Sequence, residues 1–209
     1  SAGHQPFFSA NNRYVLTYNG ELYNYLEIKT ELEAKGYQLK TDSDTEVLIN
    51  AFQEWQTGCL PKLNGMFAFA VWDKQKKTLT LVRDRSGIKP LYYAKIGEKF
   101  VFASEIKAIL ASKLLKAELD FEGLHQFLTF LWTVHEKTLF KNIYQLPPAH
   151  FLIWKGGEIN VKQWWDLDFS REEKGKPEDF WREQVLETLD KSVAMEMIAD
   201  VPLGAFLSG

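Results

Sequence analysis

Tyr14-Val15-Leu16-Thr17-Tyr18 is a run of strand formers that stops at Asn19-Gly20, beyond which the apolar spacing becomes helical. Asn-Gly is among the strongest turn signals. The pattern therefore predicts a strand over Tyr14–Tyr18 ending in a turn, then a helix from Tyr25 to Lys35 closed by Gly36. Ser43 and Glu46 have capping-box spacing, and Val47, Leu48, Ala51, Phe52 and Trp55 recur on one face. A second helix over Asp44 to Trp55 follows, with Gly58 as its C-cap. Met66 to Trp72 is apolar at every position, as a strand covered on both faces requires. Asp73–Lys77 is a polar turn into a return strand, Thr78–Val82. Leu91–Ala94 pairs with Phe100–Ala103 across Gly97, and Phe151–Trp154 with Ile159–Trp164 across Lys155–Glu158. Consecutive hairpins predict antiparallel sheets, and with the helices the class is α+β.

The remaining segments are less regular. Ser1 to Asn12 reads as loop. Asp120 to Phe130 reads as a helix with Phe121, Leu124, Phe127 and Leu128 on its buried side, and Leu146-Pro147-Pro148-Ala149-His150 as a turn. A charged stretch with Gly and Pro over residues 166–179 is the expected linker. It divides a domain over 1–165 from a second over 180–209. There Phe180, Val185, Leu186, Leu189, Val193 and Met197 mark an amphipathic helix, and Val201–Leu207 a buried strand.

Composition narrows the class. In 209 residues, 45% hydrophobic and 14% aromatic side chains are enough for a sizeable core. A net charge of −3, from 25 basic and 28 acidic residues, leaves no electrostatic footprint for nucleic acid or an anionic membrane. Nor does an apolar run approach the roughly 20 residues that span a bilayer. The lone cysteine, Cys59, excludes an intrachain disulfide framework and fits a reducing, cytoplasmic compartment. It follows an amphipathic helix, and we read it as a small buried hydrophobe rather than a nucleophile. His4, His125, His135 and His150 lack metal-ligand spacing and read as surface or structural, so no metal site is predicted. Arg83-Asp84-Arg85 reads as a salt-bridged corner between strands. Trp154, Trp164 and Trp165 invite a base-stacking reading. With no basic groove beside them, core packing is the better one.

Two places carry chemistry. Gly20 has no side chain to shield its N–H, and Asn19 adds a neutral NH₂ donor beside it. Two fixed neutral donors are what an oxyanion hole requires. On the dipeptide alone a plain turn is the better reading, because Asn-Gly pairs are common in turns. Asp44, in the first turn of its helix, either compensates the helix dipole or holds the ammonium group of a small substrate.

Together, Asn19-Gly20-Glu21 and Ser43-Asp44-Thr45-Glu46 resemble the signature of class II glutamine amidotransferases. The resemblance narrows to glutamine-hydrolysing asparagine synthetases on four longer stretches. These are Leu63-Asn64-Gly65-Met66-Phe67-Ala68-Phe69-Ala70, Arg83-Asp84-Arg85-Ser86-Gly87-Ile88-Lys89-Pro90-Leu91-Tyr92-Tyr93, Phe102-Ala103-Ser104-Glu105-Ile106-Lys107-Ala108 and Asp200-Val201-Pro202-Leu203-Gly204-Ala205-Phe206-Leu207-Ser208-Gly209. It is weakest between about 111 and 180. Other amidotransferases that make sugar amines or purine precursors share the first two signals but not these stretches.

The resemblance implies an N-terminal-nucleophile (Ntn) αββα sandwich of antiparallel sheets, followed by the start of an α/β nucleotide-binding PP-loop domain. It implies Asn19 and Gly20 as oxyanion donors, Glu21 and Asp44 as further glutamine contacts, and Leu207, Ser208 and Gly209 as nucleotide contacts. The substrates implied are glutamine, ATP with Mg²⁺, and a carboxylate, most commonly aspartate; a homodimer is compatible. In the family the nucleophile is an N-terminal cysteine whose own α-amine is the base. No such cysteine opens this sequence, so the 209-residue chain alone is expected to be inactive. The alternative is an amidotransferase-like module that binds glutamine without hydrolysing it.

Overall fold

The computed structural model describes residues 4–170, 173–198 and 204. They belong to two units, Ser1–Asp166 and Leu167–Gly209.

The first unit is built on a six-stranded sheet. Its strands are β1 (Phe7–Phe8), β2 (Tyr14–Leu22), β3 (Gly65–Asp73), β4 (Thr78–Arg83), β8 (His150–Lys155) and β9 (Glu158–Gln163), in the order β1-β2-β3-β4-β8-β9. A second sheet has the order β6-β5-β7, from β5 (Tyr92–Ile96), β6 (Lys99–Ala103) and β7 (Tyr144–Gln145). Every strand pair is antiparallel. Helices α1 (Tyr25–Ala34) and α2 (Asp44–Trp55) cover one face of the large sheet through a core that includes Leu16, Ile28, Leu32, Val47, Phe52, Phe67 and Phe69. The small sheet covers the other face, across Ala68, Ala70, Leu81, Leu91, Tyr93 and Leu152. Helix α3 (Ile106–Ala111) backs the small sheet through Ala94, Ile109 and Ile143. Three cores thus separate four layers, and β3, with apolar faces on both sides, reads apolar at nearly every position for that reason.

The hairpins fall where the periodicity places them, with Gly97 at φ 59° in the β5–β6 turn. Several expectations change. The first twelve residues are not all loop, because Phe7 and Phe8 pair with Leu16 and Val15. Helix α2 ends at Gln56, not at Gly58, which lies inside a 3-10 helix over Gln56–Lys62. The capping box is half made. Ser43 Oγ accepts from Thr45 N at 3.3 Å, but the Glu46 carboxylate turns to Lys40 N, Thr41 N and Thr41 Oγ1 instead. Helix α4 (Phe121–Phe130) starts at Asp120, whose carboxylate accepts from Glu122 N and Gly123 N. Its expected apolar side is not buried: Phe121 is 73% and Leu128 71% exposed. The helix instead lies against the backbone at Thr138 through Gly123, where an added Cβ would fall 2.1 Å from Thr138 O.

The Arg83-Asp84-Arg85 corner is held by backbone contacts rather than salt bridges. Arg83 donates to the carbonyls of Lys89, Leu146 and Gly87. Asp84 accepts four backbone N–H bonds, from Phe67, Ser86, Ile88 and Lys89. Arg85 donates to Pro61 O. Nor do the three tryptophans form one cluster. Trp154 packs between the sheets, while Trp164 packs on the helix side against Phe67 at 6.3 Å. Arg85 lies 5.8 Å from the Trp164 and Trp165 rings.

Arg13 and Asp73 form a 2.7 Å ion pair at the β2–β3 end of the large sheet. Burial opposes the charge on Asp73, but Arg13 and the N–H groups of Lys76 and Gln75 hold its carboxyl below the ordinary range. A depressed carboxylate pKa stabilises the fold above its unfolded value, about 3.9, and that contribution is lost as the pH falls through the folded value. Asp73→Asn is therefore expected to melt below the parent at about pH 6, with the gap narrowing as the pH falls below about 4. Paired melting curves across that range check this.

In the second unit, α5 (Glu178–Glu196) is the expected helix. Trp181, Val185, Leu186, Leu189 and Val193 are exposed on it. The predicted strand Val201–Leu207 and the nucleotide contacts Leu207, Ser208 and Gly209 lie outside the described residues. Among the described residues, no helix is long and apolar enough to cross a membrane.

Candidate active site

The largest departure from the expected pattern is at Asn19-Gly20. They do not end a strand. They lie inside β2, paired with Ala68 and Phe67 of β3, and the strand runs on to Leu22. The glycine is required by β3. An added Cβ at Gly20, where φ is +155°, would sit 2.1 Å from Met66 O, and one at Gly65 would sit 2.1 Å from Glu21 O. Two strands approach here more closely than side-chain-bearing residues allow.

Ladder parity then shows where the Gly20 N–H points. Phe67 directs its main chain at Asp84: its N–H bonds the Asp84 carboxylate, and its carbonyl accepts from Asp84 N. Phe67 and Gly20 are therefore a non-hydrogen-bonded pair, and Gly20 N–H faces the opposite, outer edge of β2. Its neighbours of the same parity agree. Tyr14 exchanges bonds with Ser9, Tyr18 N–H donates to Gln5 Oε1 at 2.6 Å, and Leu22 N–H donates to Asp44 Oδ2 at 3.1 Å. Between the last two, Gly20 N–H has no acceptor among the described residues. The side chains of Gln5 and Asp44 thus frame one open backbone donor.

Asn19 projects to the other side, between the sheets. Its Nδ2 donates to Ser104 Oγ at 3.3 Å. The carboxamide lies in a cavity of about 270 Å³ lined also by Gln5, Thr17, Ala68, Leu91 and Phe102. Glu21 is half-buried and pairs with Met66. Asp44 opens α2 as expected, and its Oδ2 accepts from both Tyr18 Oη (2.9 Å) and Leu22 N. Burial and the Asp44 charge push the Tyr18 hydroxyl far above its ordinary pKa, so it remains a donor. The structure therefore brings Asn19, Gly20, Glu21 and Asp44 to one end of β2. It adds Gln5, Tyr18 and Ser104, which sequence reasoning did not single out.

Cys59 has no part in this site. It is fully buried in the 3-10 helix, and burial pushes its thiol up to about 12. Of the histidines, His4, His125 and His135 are exposed and His150 contacts Pro148 O at 2.7 Å. No cluster of metal-ligating side chains occurs among the described residues.

Residues 1–165 match the family described as a glutamine amidotransferase domain. The chain belongs to that family. It is 39% identical, over 99% of its own length, to asparagine synthetase (glutamine-hydrolyzing) 3 of Bacillus subtilis, covering 34% of that protein. Asparagine synthetase (glutamine-hydrolyzing) 1 of the same organism is 38% identical over 99% of the chain and 32% of its own length. The chain thus spans about a third of the length of these curated relatives. Among solved structures it is similar to the glutamine phosphoribosylpyrophosphate amidotransferase of B. subtilis complexed with ADP and GMP. That match has 25% identity and a TM-score of 0.52, and covers 77% of this chain and 31% of the other. The two antiparallel sheets and their helices are the Ntn amidotransferase fold, and the class II resemblance read from the motifs holds.

Proposed function

We propose that the full protein is a glutamine-dependent amide synthetase. It hydrolyses glutamine to glutamate and ammonia, and the ammonia attacks an ATP-activated carboxylate, aspartate giving asparagine. The observation that carries the glutaminase half is the framed Gly20 N–H on the edge of β2. Asp44 is anchored two residues further on, at Leu22, so donor and carboxylate are about 7 Å apart along the strand. Glutamine separates its amide carbon from its α-nitrogen by four bonds, about 5 Å when extended. A glutamine lying alongside the strand edge can therefore meet both groups, one at each end.

In the proposed mechanism a cysteine thiolate of the full protein attacks the amide carbon, with its own α-amine as base. The carbonyl electrons move to oxygen, where Gly20 N–H and the Asn19 NH₂ receive the charge. Asp44 accepts the α-ammonium of glutamine, and the Glu21 carboxylate lies beside it. The elimination of ammonia leaves a thioester that water hydrolyses. Similarity to asparagine synthetases over 99% of the chain, together with the Asp200–Gly209 motif, supports the ATP-dependent half. Its nucleotide contacts are assigned to Leu207, Ser208 and Gly209. Mg²⁺ is assigned to no residue here, since the described residues offer no ligand set for it.

Asp44→Asn in the full-length protein tests the substrate assignment. A charged hydrogen bond contributes about 1.5–3 kcal/mol, so KM for glutamine is expected to rise about 10- to 100-fold with kcat nearly unchanged. An unchanged KM, or no ammonia release by the parent enzyme, would overturn the reading.

A further inference from the structure

We propose that the Tyr18 hydroxyl is a positioning group. By fixing the rotation of the Asp44 carboxylate it sets the preference for substrates that carry an α-ammonium group. The proposal rests on the glutamine reading above and extends it to a residue that touches no substrate.

Tyr18 is a strut held at both ends. Its main chain is clamped by one side-chain amide: Gln5 Nε2 donates to Tyr18 O at 2.7 Å, while Tyr18 N donates to Gln5 Oε1. Its ring descends into the core under α1 and α2, where the residue is 9% exposed. The hydroxyl at the far end donates to Asp44 Oδ2 at 2.9 Å. The same oxygen accepts from Leu22 N at 3.1 Å. Two donors from β2 therefore converge on Oδ2. Among the described residues the other oxygen, Oδ1, meets only Thr45 Oγ1, at 3.4 Å.

That asymmetry has a chemical consequence. The last torsion of an aspartate is soft and broadly populated. One donor on one oxygen leaves the carboxylate free to swing about that contact. Two donors from different parts of the same strand fix both the oxygen and the plane. Oδ2 is then spent on the protein, and Oδ1 is the oxygen left for an incoming cation. An ammonium group with three donors is served by such a presented lone pair. A substrate with hydrogen in place of the amino group gains nothing from it. Removing the hydroxyl weakens the ammonium contact selectively and leaves the oxyanion donors on Asn19 and Gly20 in place.

Tyr18→Phe keeps the ring and its packing and removes only the donor. The assay is steady-state hydrolysis by the full-length protein of glutamine and of 5-amino-5-oxopentanoate, which is glutamine without its α-amino group. The expected result is a roughly tenfold higher KM for glutamine, kcat within about twofold, and an unchanged KM for the des-amino analogue. Selectivity for the α-amino substrate thus falls about tenfold. Equal changes for both substrates, or none for either, would overturn the proposal. Should this variant fail to fold, 4-aminophenylalanine at position 18 retains a donor at the same ring position. It must then keep the parent's selectivity, and its loss would count equally against the proposal. Asp44→Asn run in parallel separates the two levels. If it leaves selectivity intact, the ammonium assignment fails. If it abolishes selectivity and Tyr18→Phe does not, the assignment stands and only the role of Tyr18 falls.

Discussion

Asp84→Ala is expected to lower the unfolding midpoint by about 8–16 °C, more than a typical surface substitution in this domain. Asp84 is 1% exposed, and its two oxygens accept from four backbone N–H groups. Phe67 and Lys89 share Oδ2, and Ser86 and Ile88 share Oδ1. Truncation strands all four donors. An unsatisfied buried amide costs about 1–3 kcal/mol. Ser86 and Ile88 are exposed and partly reach water, so the low end applies and the sum is about 4 kcal/mol. At this chain length each kcal/mol moves the midpoint by about 2–4 °C. Asp84→Asn retains one acceptor oxygen and is expected to lose roughly half as much. Thermal melts of the three proteins check the order. The consequence reaches the site, because the N–H of Phe67, the strand partner of Gly20, is one of the four.

Asn19→Ala has the largest expected effect on chemistry. The side chain is exposed on the cavity-facing side of β2 and, among the described residues, has one polar contact, to Ser104. Removing it should leave the fold intact. On the proposed mechanism, however, its NH₂ is one of two neutral donors on the developing oxyanion. Loss of one such donor costs about 2.7–4 kcal/mol of barrier, a fall of about 10²–10³ in kcat. Ground-state glutamine keeps its Asp44 contact, so KM should move by no more than about threefold.

Much of the layer order is legible in the sequence, because it rests on periodicity. The unbroken apolar run of β3 requires two covered faces, and α2 shows both its cap and its buried stripe. What periodicity cannot show is where a face finds its partner. Helix α4 has a convincing apolar side, yet Gly123 and not Phe121 or Leu128 makes the contact. Asn19-Gly20 misleads for a different reason. A local turn signal is overridden by nine residues of ladder with β3, and the glycine answers to Met66 O rather than to a turn.

The site was legible only in part. Asn19, Gly20, Glu21 and Asp44 sit in short motifs. The residues that hold them are scattered: Gln5 lies 13 positions before Tyr18, Asp44 26 after it, and Ser104 85 beyond Asn19. No spacing rule links such positions. The openness of the Gly20 N–H follows from strand parity, which needs the register. One signal was available in principle: Tyr14 and Tyr18 are the polar-tipped members of the buried set Tyr14, Leu16, Tyr18, and a buried hydroxyl needs a partner.

On the proposed mechanism, Asn19 and Gly20 form the oxyanion site of a glutaminase. The most direct test is the steady-state kinetics of glutamine hydrolysis by full-length Asn19→Ala beside the parent. The expected result is a kcat lowered about 10²–10³-fold with KM within about threefold. A variant that keeps kcat within about threefold, or that loses activity through KM alone, would contradict it.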